Sequence, residues 1–424
     1  MKNLKKLLDE FDGISGYRII ENHLTSYELF FVHKSLETVR DTDTTSTEVT
    51  VYVDHDGAKG DSTFPVFRSM TEDDIKAKIK TAASRALLVS NQPYELPDKS
   101  ELDEKLPTNL DEYEPEAFGR MIADAVYAAD NVPGGSINAL EIFIYRDVTR
   151  VVNSRGVDKT QTVNRVMIEA IPTFTDEKQS VELYEDYRFT VFDKDKITAE
   201  IAEKMKEVSD RSKASKPGKE LTVNVLLRPH EISRVIWDLA RDCNYQSIYS
   251  HANLHKEGDN LQNGDGDKLN VTMKAIIKGS ERSAYFDEDG AQLYDTEIIK
   301  DGVVCGSFGL SRFGQYLGIE RPSGSLSCAK VGAGTLTDEE TEKEPYIDVV
   351  SMSGIQVDLF NDYIGGEIRL AYYHDGEKTT AITGITMSAK LSDVLATMRL
   401  SKKTDVSGAY EGPVRLLMKD VAVL

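Results

Sequence analysis

Leu4, Leu7, Leu8 and Phe11 recur at helical spacing among lysines and acids, which predicts an amphipathic first helix. Tyr27 to His33 and Glu48 to Asp54 read instead as strands. In the second of these Val49, Val51 and Val53 alternate with polar neighbours, and Asp54-His55-Asp56-Gly57 supplies a turn. Thr71 is placed to cap a helix carrying Ile75, Ile79, Ala82 and Ala86, which ends at Asn91-Gln92-Pro93. Residues 95 to 117 are acidic and broken by Pro97, Pro107 and Pro115, so they are expected to form an exposed connection rather than core. A helix near Glu116 to Ala129 follows, then a long strand region that turns at Asn153-Ser154-Arg155-Gly156 into Thr160 to Ile171. Ile197, Ile201, Met205 and Val208 give one face of a helix over Asp195 to Val208.

Small, polar and helix-breaking residues from Ser212 to Lys219 interrupt this pattern and mark the expected domain boundary. The division predicts an N-terminal α/β domain over residues 1–217 and a C-terminal domain over residues 218–424. Leu221 to Leu227, Leu269 to Ile277, Val303 to Phe308, Tyr346 to Met352, Glu367 to Tyr373 and Val414 to Val423 read as strands. The fold class expected is therefore α+β, the second domain β-rich, largely antiparallel and barrel-like.

Composition narrows the function classes. The 424-residue chain carries a formal net charge of -21, which argues against nucleic acid as a direct partner, because lysine and arginine must neutralise phosphates there. Cys243, Cys305 and Cys328 are odd in number, widely spaced and free of any CxxC, so neither a disulfide framework nor a zinc ribbon is indicated, and a reducing cytoplasm is expected. The N-terminus lacks the uninterrupted apolar stretch of a secretory signal, and no run approaches the roughly 20 apolar residues of a membrane span, so no membrane partner is expected.

The candidate chemistry lies in YSHANLHKEGD, Tyr249 to Asp259. A zinc-peptidase helix needs two imidazoles on one face and a glutamate to deprotonate the metal-bound water. His251 and His255 have i,i+4 spacing, which on a helix sets two side chains about 40° apart and suits a shared metal, but Ala252 stands where the base belongs. Glu257 is the nearest acid. The alternative is a polar turn, since Gly258, Asp259, Asn260, Asn263 and Gly264 follow. A calcium loop from Asn263 fails at Lys268 and Lys274, where glycine and a bidentate glutamate are needed. His230-Glu231 also begins a zinc motif, but Arg234 and Val235 replace its second histidine. Ile232, Val235, Ile236 and Leu239 there form the buried face of a helix opened by Pro229.

The segments NALEIFIYRDVTRVVNSRGVD (138 to 158), YSHANLHKEGDNLQ (249 to 262), SRFGQYLG (311 to 318) and 353 to 401, which begins SGIQVDLFNDYIGGEIRLAYYHDGEK, resemble the TldD/PmbA family in sequence and order. The resemblance implies an N-terminal α/β domain, a β-rich C-terminal domain and intracellular peptide processing. Assemblies of that family pair a TldD-type subunit, whose HExxxH and later cysteine bind zinc, with a PmbA (TldE)-type subunit without them; this chain resembles the second. When the EGD of HExxxHxxEGD is set on Glu257-Gly258-Asp259, the ligand positions fall on Tyr249 and Leu254 and the glutamate on Ser250. The later cysteine falls near Gly408 to Gly412, where there is none.

The resemblance therefore implies no zinc or other cofactor in this chain, and a TldD-like subunit or a second copy as its dimer partner. Peptide or unfolded protein would be the substrate of the assembly. Gly365-Gly366-Glu367 to Tyr373 falls near the family's active region, unless the glycines only turn a sheet. The residues leave two alternatives open: an active metallopeptidase using His251, His255 and Glu257, and a peptide-binding module without hydrolysis.

Overall fold

The structure, a computed structural model, describes residues 2–424, and its first half is built on strands far longer than the apolar runs within them. Helix α1 (Lys2–Asp9) leads into β1 (Gly16–Val32) and β2 (Ser35–His55), which pair antiparallel from end to end. His33 and Lys34 join them with φ of 45° and 69°, the left-handed pair a two-residue hairpin turn needs to match strand twist. Asp56 and Gly57 turn β2 into β3 (Ala58–Val66) in the same way.

Thr71 then caps α2 (Glu72–Ala86) in a capping box with Asp74, and α2 buries Ile79, Ala82, Ala83 and Ala86. The helix packs so close to β3 that a Cβ on Gly60 would lie 1.8 Å from the Ala86 carbonyl oxygen. Only glycine fits there.

Residues 95 to 117 contain more structure than their prolines foretell. β4 (Ser100–Lys105) pairs in parallel with a later strand, and Leu106 and Leu110 are buried. The expected exposed connection is thus corrected to an edge strand, the position where proline-flanked, charged sequence is tolerated. After α3 (Pro115–Ala128), β5 (Gly135–Asn153) and β6 (Val157–Thr175) form the second long hairpin. At its turn the Asn153 carboxamide accepts from the amides of Arg155 and Val157 and donates to the Pro97 carbonyl.

The sheet order is β3-β2-β1-β5-β6-β4, with β7 (Ser180–Glu182) and β8 (Glu185–Phe189) added on β6. Helices α1 and α2 cover one part of it through Leu4, Leu8, Ile19, Val51 and Ile79. α3 and α4 (Lys194–Lys213) cover another through Phe118, Ile122, Ile142, Ile168 and Ile201. Each such side chain, fully buried, contributes about 1.5–3 kcal/mol.

The second half begins with β9 (Leu221–Leu227). Strands Tyr346–Asp358, β9, Leu416–Val423, Ile385–Lys390 and Tyr363–His374 pair in that order, and the last pairs again with the first, closing a five-stranded barrel. Gly365 and Gly366 lie inside a barrel strand rather than at a turn, and a Cβ on Gly366 would lie 2.2 Å from the Gly354 carbonyl oxygen. They permit close backbone approach. A second sheet runs from Val303–Val304 through Thr296–Lys300, Val271–Lys274, Cys328–Val331 and Tyr410–Pro413 to Thr404–Ser407. Its strands are shorter than the apolar segments at 269–277 and 303–308 indicate.

One continuous core, including Val225, Ile236, Met273, Ile298, Ile347 and Met418, lies between these sheets and α5 (Pro229–Asp242). The architecture is α+β with mostly antiparallel strands, as the sequence leads one to expect. Among the described residues no helix is long and apolar enough to cross a membrane.

The halves meet through charge. The Arg228 guanidinium donates to Glu207 on α4 at 2.7 Å and to Asp348 at 2.9 Å. Arg18 on β1 pairs with Asp289, whose loop is fixed by the buried Asp287 carboxylate accepting from the amides of Asp289, Ala291 and Ser325.

Candidate functional site

Pro229 opens α5, whose Ile232, Val235, Ile236 and Leu239 pack into the core. His230 is side-on to Glu231 at 3.2 Å and largely exposed, as a structural helix requires. At the other end of α5, Asp242 is 4 % exposed, and its carboxylate collects the amides of Leu254 at 2.6 Å and His255 at 2.9 Å and the His255 Nδ1 at 2.9 Å. Burial alone would raise the Asp242 carboxyl; the hydrogen bonds from the His255 ring and the two amides outweigh it and hold the group below the usual range.

Between these anchors runs the short helix α6 (Tyr245–Tyr249), capped by Asn244. It ends before either candidate histidine, so the helical i,i+4 arrangement of His251 and His255 does not form. His251 has φ of 54° in an exposed turn, His255 is held by Asp242, and Glu257 is exposed. Turn chemistry decides this: Ser250 caps α6, while the Gly258 amide and Asp259 carbonyl pair with Val304 at 2.8 and 2.9 Å. Gly258, at φ of 93°, supplies the conformation that such a reversal requires.

The positions set against HExxxH hold different chemistry. Tyr249 packs on Phe313 and Tyr316 of α7 (Ser311–Tyr316), with ring centroids 5.8 and 5.0 Å away. Leu254 offers no donor and is 44 % exposed. The Arg312 guanidinium lies 5.3, 5.1 and 5.7 Å from the rings of Tyr94, Phe313 and Tyr316, and it donates to Asn91 at 2.9 Å. Gln315 and Tyr316 also bond the backbone of Glu95 and Gln92, so the segment after α2 is strapped across α7.

Burial pushes the Tyr94 hydroxyl up to about 12 and raises that of Tyr316, so these phenols stay neutral and are poor metal ligands. In the sequence, SRFGQYLG carries meaning only through its place in the order of the family segments. The aromatic residues at its third and sixth positions, one helical turn apart, were the available signal for this cluster.

Near Gly408 to Gly412, Tyr410 is fully buried and its hydroxyl donates to the Pro413 carbonyl at 3.0 Å. Burial pushes the Cys243 thiol up to about 12 and raises those of Cys305 and Cys328, so none is a ready thiolate. Among the described residues, no group of three or more histidines, cysteines or carboxylates stands close enough to hold a metal ion. The residues at the family's metal positions do not fit zinc. Elsewhere, Asp267 of the rejected calcium loop binds the Leu400 amide at 2.7 Å and Thr335 Oγ1 at 2.8 Å.

Residues 221–424 match the family model described as the PmbA/TldA metallopeptidase C-terminal domain. No curated protein matches. Three solved structures share the fold at low identity. TldE from Thermococcus kodakarensis has 14 % identity and a TM-score of 0.80, covering 100 % of this chain and 99 % of its own. A putative modulator of a DNA gyrase from Thermotoga maritima has 13 % identity and a TM-score of 0.78, with the same coverage. A putative modulator of DNA gyrase from Bacteroides thetaiotaomicron has 15 % identity and a TM-score of 0.81, covering 100 % of this chain and 98 % of its own. Residues 221–424 thus belong to the PmbA/TldA metallopeptidase C-terminal domain family, and the fold of the whole chain is the one these three structures share.

Proposed function

We propose that this chain is the PmbA/TldE-like, non-catalytic subunit of a cytoplasmic peptide-processing assembly. It pairs with a TldD-like subunit, or with itself, through a fold that has lost its own zinc site; the division of the chain at residues 217/218 separates its two domains. What supports this reading is the chemistry of the residues set against the two ligand positions, Tyr249 in an aromatic contact and Leu254 with an aliphatic side chain, while Gly258 and Asp259 pin the turn. A scaffold kept without its metal ligands can shape a channel or hold a partner's catalytic groups in place.

The metallopeptidase alternative would need His251 and His255 on one metal, but α6 ends at Tyr249 and His251 stands at φ of 54°, so the two rings do not share a helix face. Metal analysis of the purified chain, with peptide cleavage measured alone and with a TldD-like partner, tests the proposal. The expected outcome is less than stoichiometric zinc and cleavage only in the mixture. Stoichiometric zinc with unaided cleavage, abolished by replacing His251 and His255 with alanine, refutes it.

A further inference from the structure

β3 pairs with β2 only between Thr47 and His55. Beyond that point β2 continues from Ser46 back to Ser35 with β1 on one side and, among the described residues, no strand on the other. This leaves one row of amides and carbonyls facing solvent over about 40 Å at the rise of a strand. Where β3 stops, its continuation forms the wall of a groove of about 960 Å³, which Val66, Phe67, Met70 and Ile75 line from the apolar side. Phe67 is 58 % exposed although it lies in this wall. An open backbone edge therefore runs into a recess that is apolar on the Val66, Phe67 and Met70 side and polar where Glu21, His23, Asp43 and Thr45 of the sheet face it.

Charge decides what can occupy the edge. Glu37, Asp41 and Asp43 are exposed along it, and Glu21 and Glu72 stand at the groove. Arg40, the cation within the row, is drawn across the strand onto the nearly buried Glu28 carboxylate. Arg68 donates to Thr45, and His23 reaches Asp43 at 2.8 Å.

A second copy added antiparallel about a two-fold axis would oppose like charges in each central register. Centring on Arg40 sets Glu37 against Asp43, on Asp41 sets Asp41 against itself, and on Thr42 sets Asp41 against Asp43. Directly opposed like charges destabilise strand pairing. A strand carrying lysine or arginine meets the same carboxylates favourably and brings the amides that the edge lacks.

We infer that the outer edge of β2, from Ser35 to Ser46, together with the Phe67 groove is a docking site for an extended basic peptide. The peptide adds as a further strand to the N-terminal sheet and seats an apolar side chain beside Phe67 and Met70. Of the proposed function, this uses only the premise that peptides are ligands.

The test uses the full chain alone, without zinc or a TldD-like subunit, so its failure is separate from failure of the subunit proposal. Fluorescence anisotropy is read with a labelled decapeptide alternating valine and lysine. Two controls replace its lysines with glutamate or methylate alternate backbone nitrogens. The expected result is saturable binding of the lysine peptide, weakened at least tenfold by Asp41→Lys/Asp43→Lys, by a smaller factor by Asp41→Asn/Asp43→Asn, and by added salt. The glutamate and methylated peptides should not bind.

Equal binding of the methylated peptide would show charge attraction without strand addition and overturn the proposal. Unchanged affinity in Asp41→Lys/Asp43→Lys would overturn it as well. So would sedimentation showing a dimer that dissociates in this variant while the peptide fails to bind, because the edge would then belong to a second copy.

Discussion

Replacing Asp242 by alanine isolates what holds the 249–259 turn in place. The carboxylate accepts three hydrogen bonds, from the Leu254 and His255 amides and the His255 ring, in a site where its side chain is 4 % exposed. Bonds to a charged acceptor contribute roughly 1.5–3 kcal/mol each, but they share one anchor and are not additive, so the expected loss is about 3 kcal/mol in the local opening of the turn. Converted at about 1.4 kcal/mol per decade, this is on the order of a hundredfold in hydrogen-exchange protection. The amides of Leu254 and His255 lose their partner directly and are uninformative. Those of Gly258 and Val304 keep theirs in the variant and report the turn itself.

Residue-resolved exchange at neutral pH should therefore show protection at Gly258 and Val304 falling about a hundredfold. A change under about threefold there would refute the view that Asp242 organises the segment. The sign with pH follows from the lowered Asp242 carboxyl. Its stabilisation is complete above the ordinary carboxylate value and is lost as pH falls through the lower folded one, so wild type should approach the variant only in strong acid.

Two further perturbations address the junction between the halves. Arg228→Met leaves Asp348, 13 % exposed, without its two-point partner and Glu207, 1 % exposed, with Lys204 alone. A loss of about 3–5 kcal/mol is expected in urea unfolding, partly restored by adding Glu207→Gln, and a loss under about 1 kcal/mol would refute it. Burial, with Asp289 nearby, raises the Asp287 carboxyl to about 6, so the fold resists its ionisation and stability is lost as pH rises from about 4 through 6. Relative to wild type, Asp287→Asn should gain up to about 3 kcal/mol between pH 4 and 8, and a pH-independent difference would contradict the assignment.

Helices were legible wherever apolar spacing and caps coincide, as at Thr71 with Ile79 or Pro229 with Ile232. Strand extent was not. Arg40 to Thr47 has no apolar alternation because one sheet face and the edge are open to water, and its register is inherited from β1 rather than signalled locally. The candidate histidines do not share a helix for a related reason. i,i+4 spacing carries meaning only within a helix, and α6 ends at Tyr249 because Ser250 and the Asp242 anchor redirect the chain. Asp242 itself lies outside any motif, and only the fold brings its carboxylate to the amides of Leu254 and His255. The family register set Tyr249 and Leu254 at the ligand positions, yet the packing of Tyr249 on Phe313 and Tyr316 depends on a contact across more than sixty residues, about which spacing is silent.

The closed barrel bears on how the chain is made. β9 finds one neighbour in Tyr346–Asp358 and the other in Leu416–Val423, so one edge of this first barrel strand stays unpaired until residues 416–423 have left the ribosome. Leu221, Val223, Val225 and Leu227 meanwhile lie on an apolar strand with that edge open, while the N-terminal sheet, whose long strands form hairpins with near neighbours, can already form. Synthesis thus passes through a period in which a folded first half carries an unfolded second half, and a pause or truncation before residue 416 would release a species prone to aggregate through that edge.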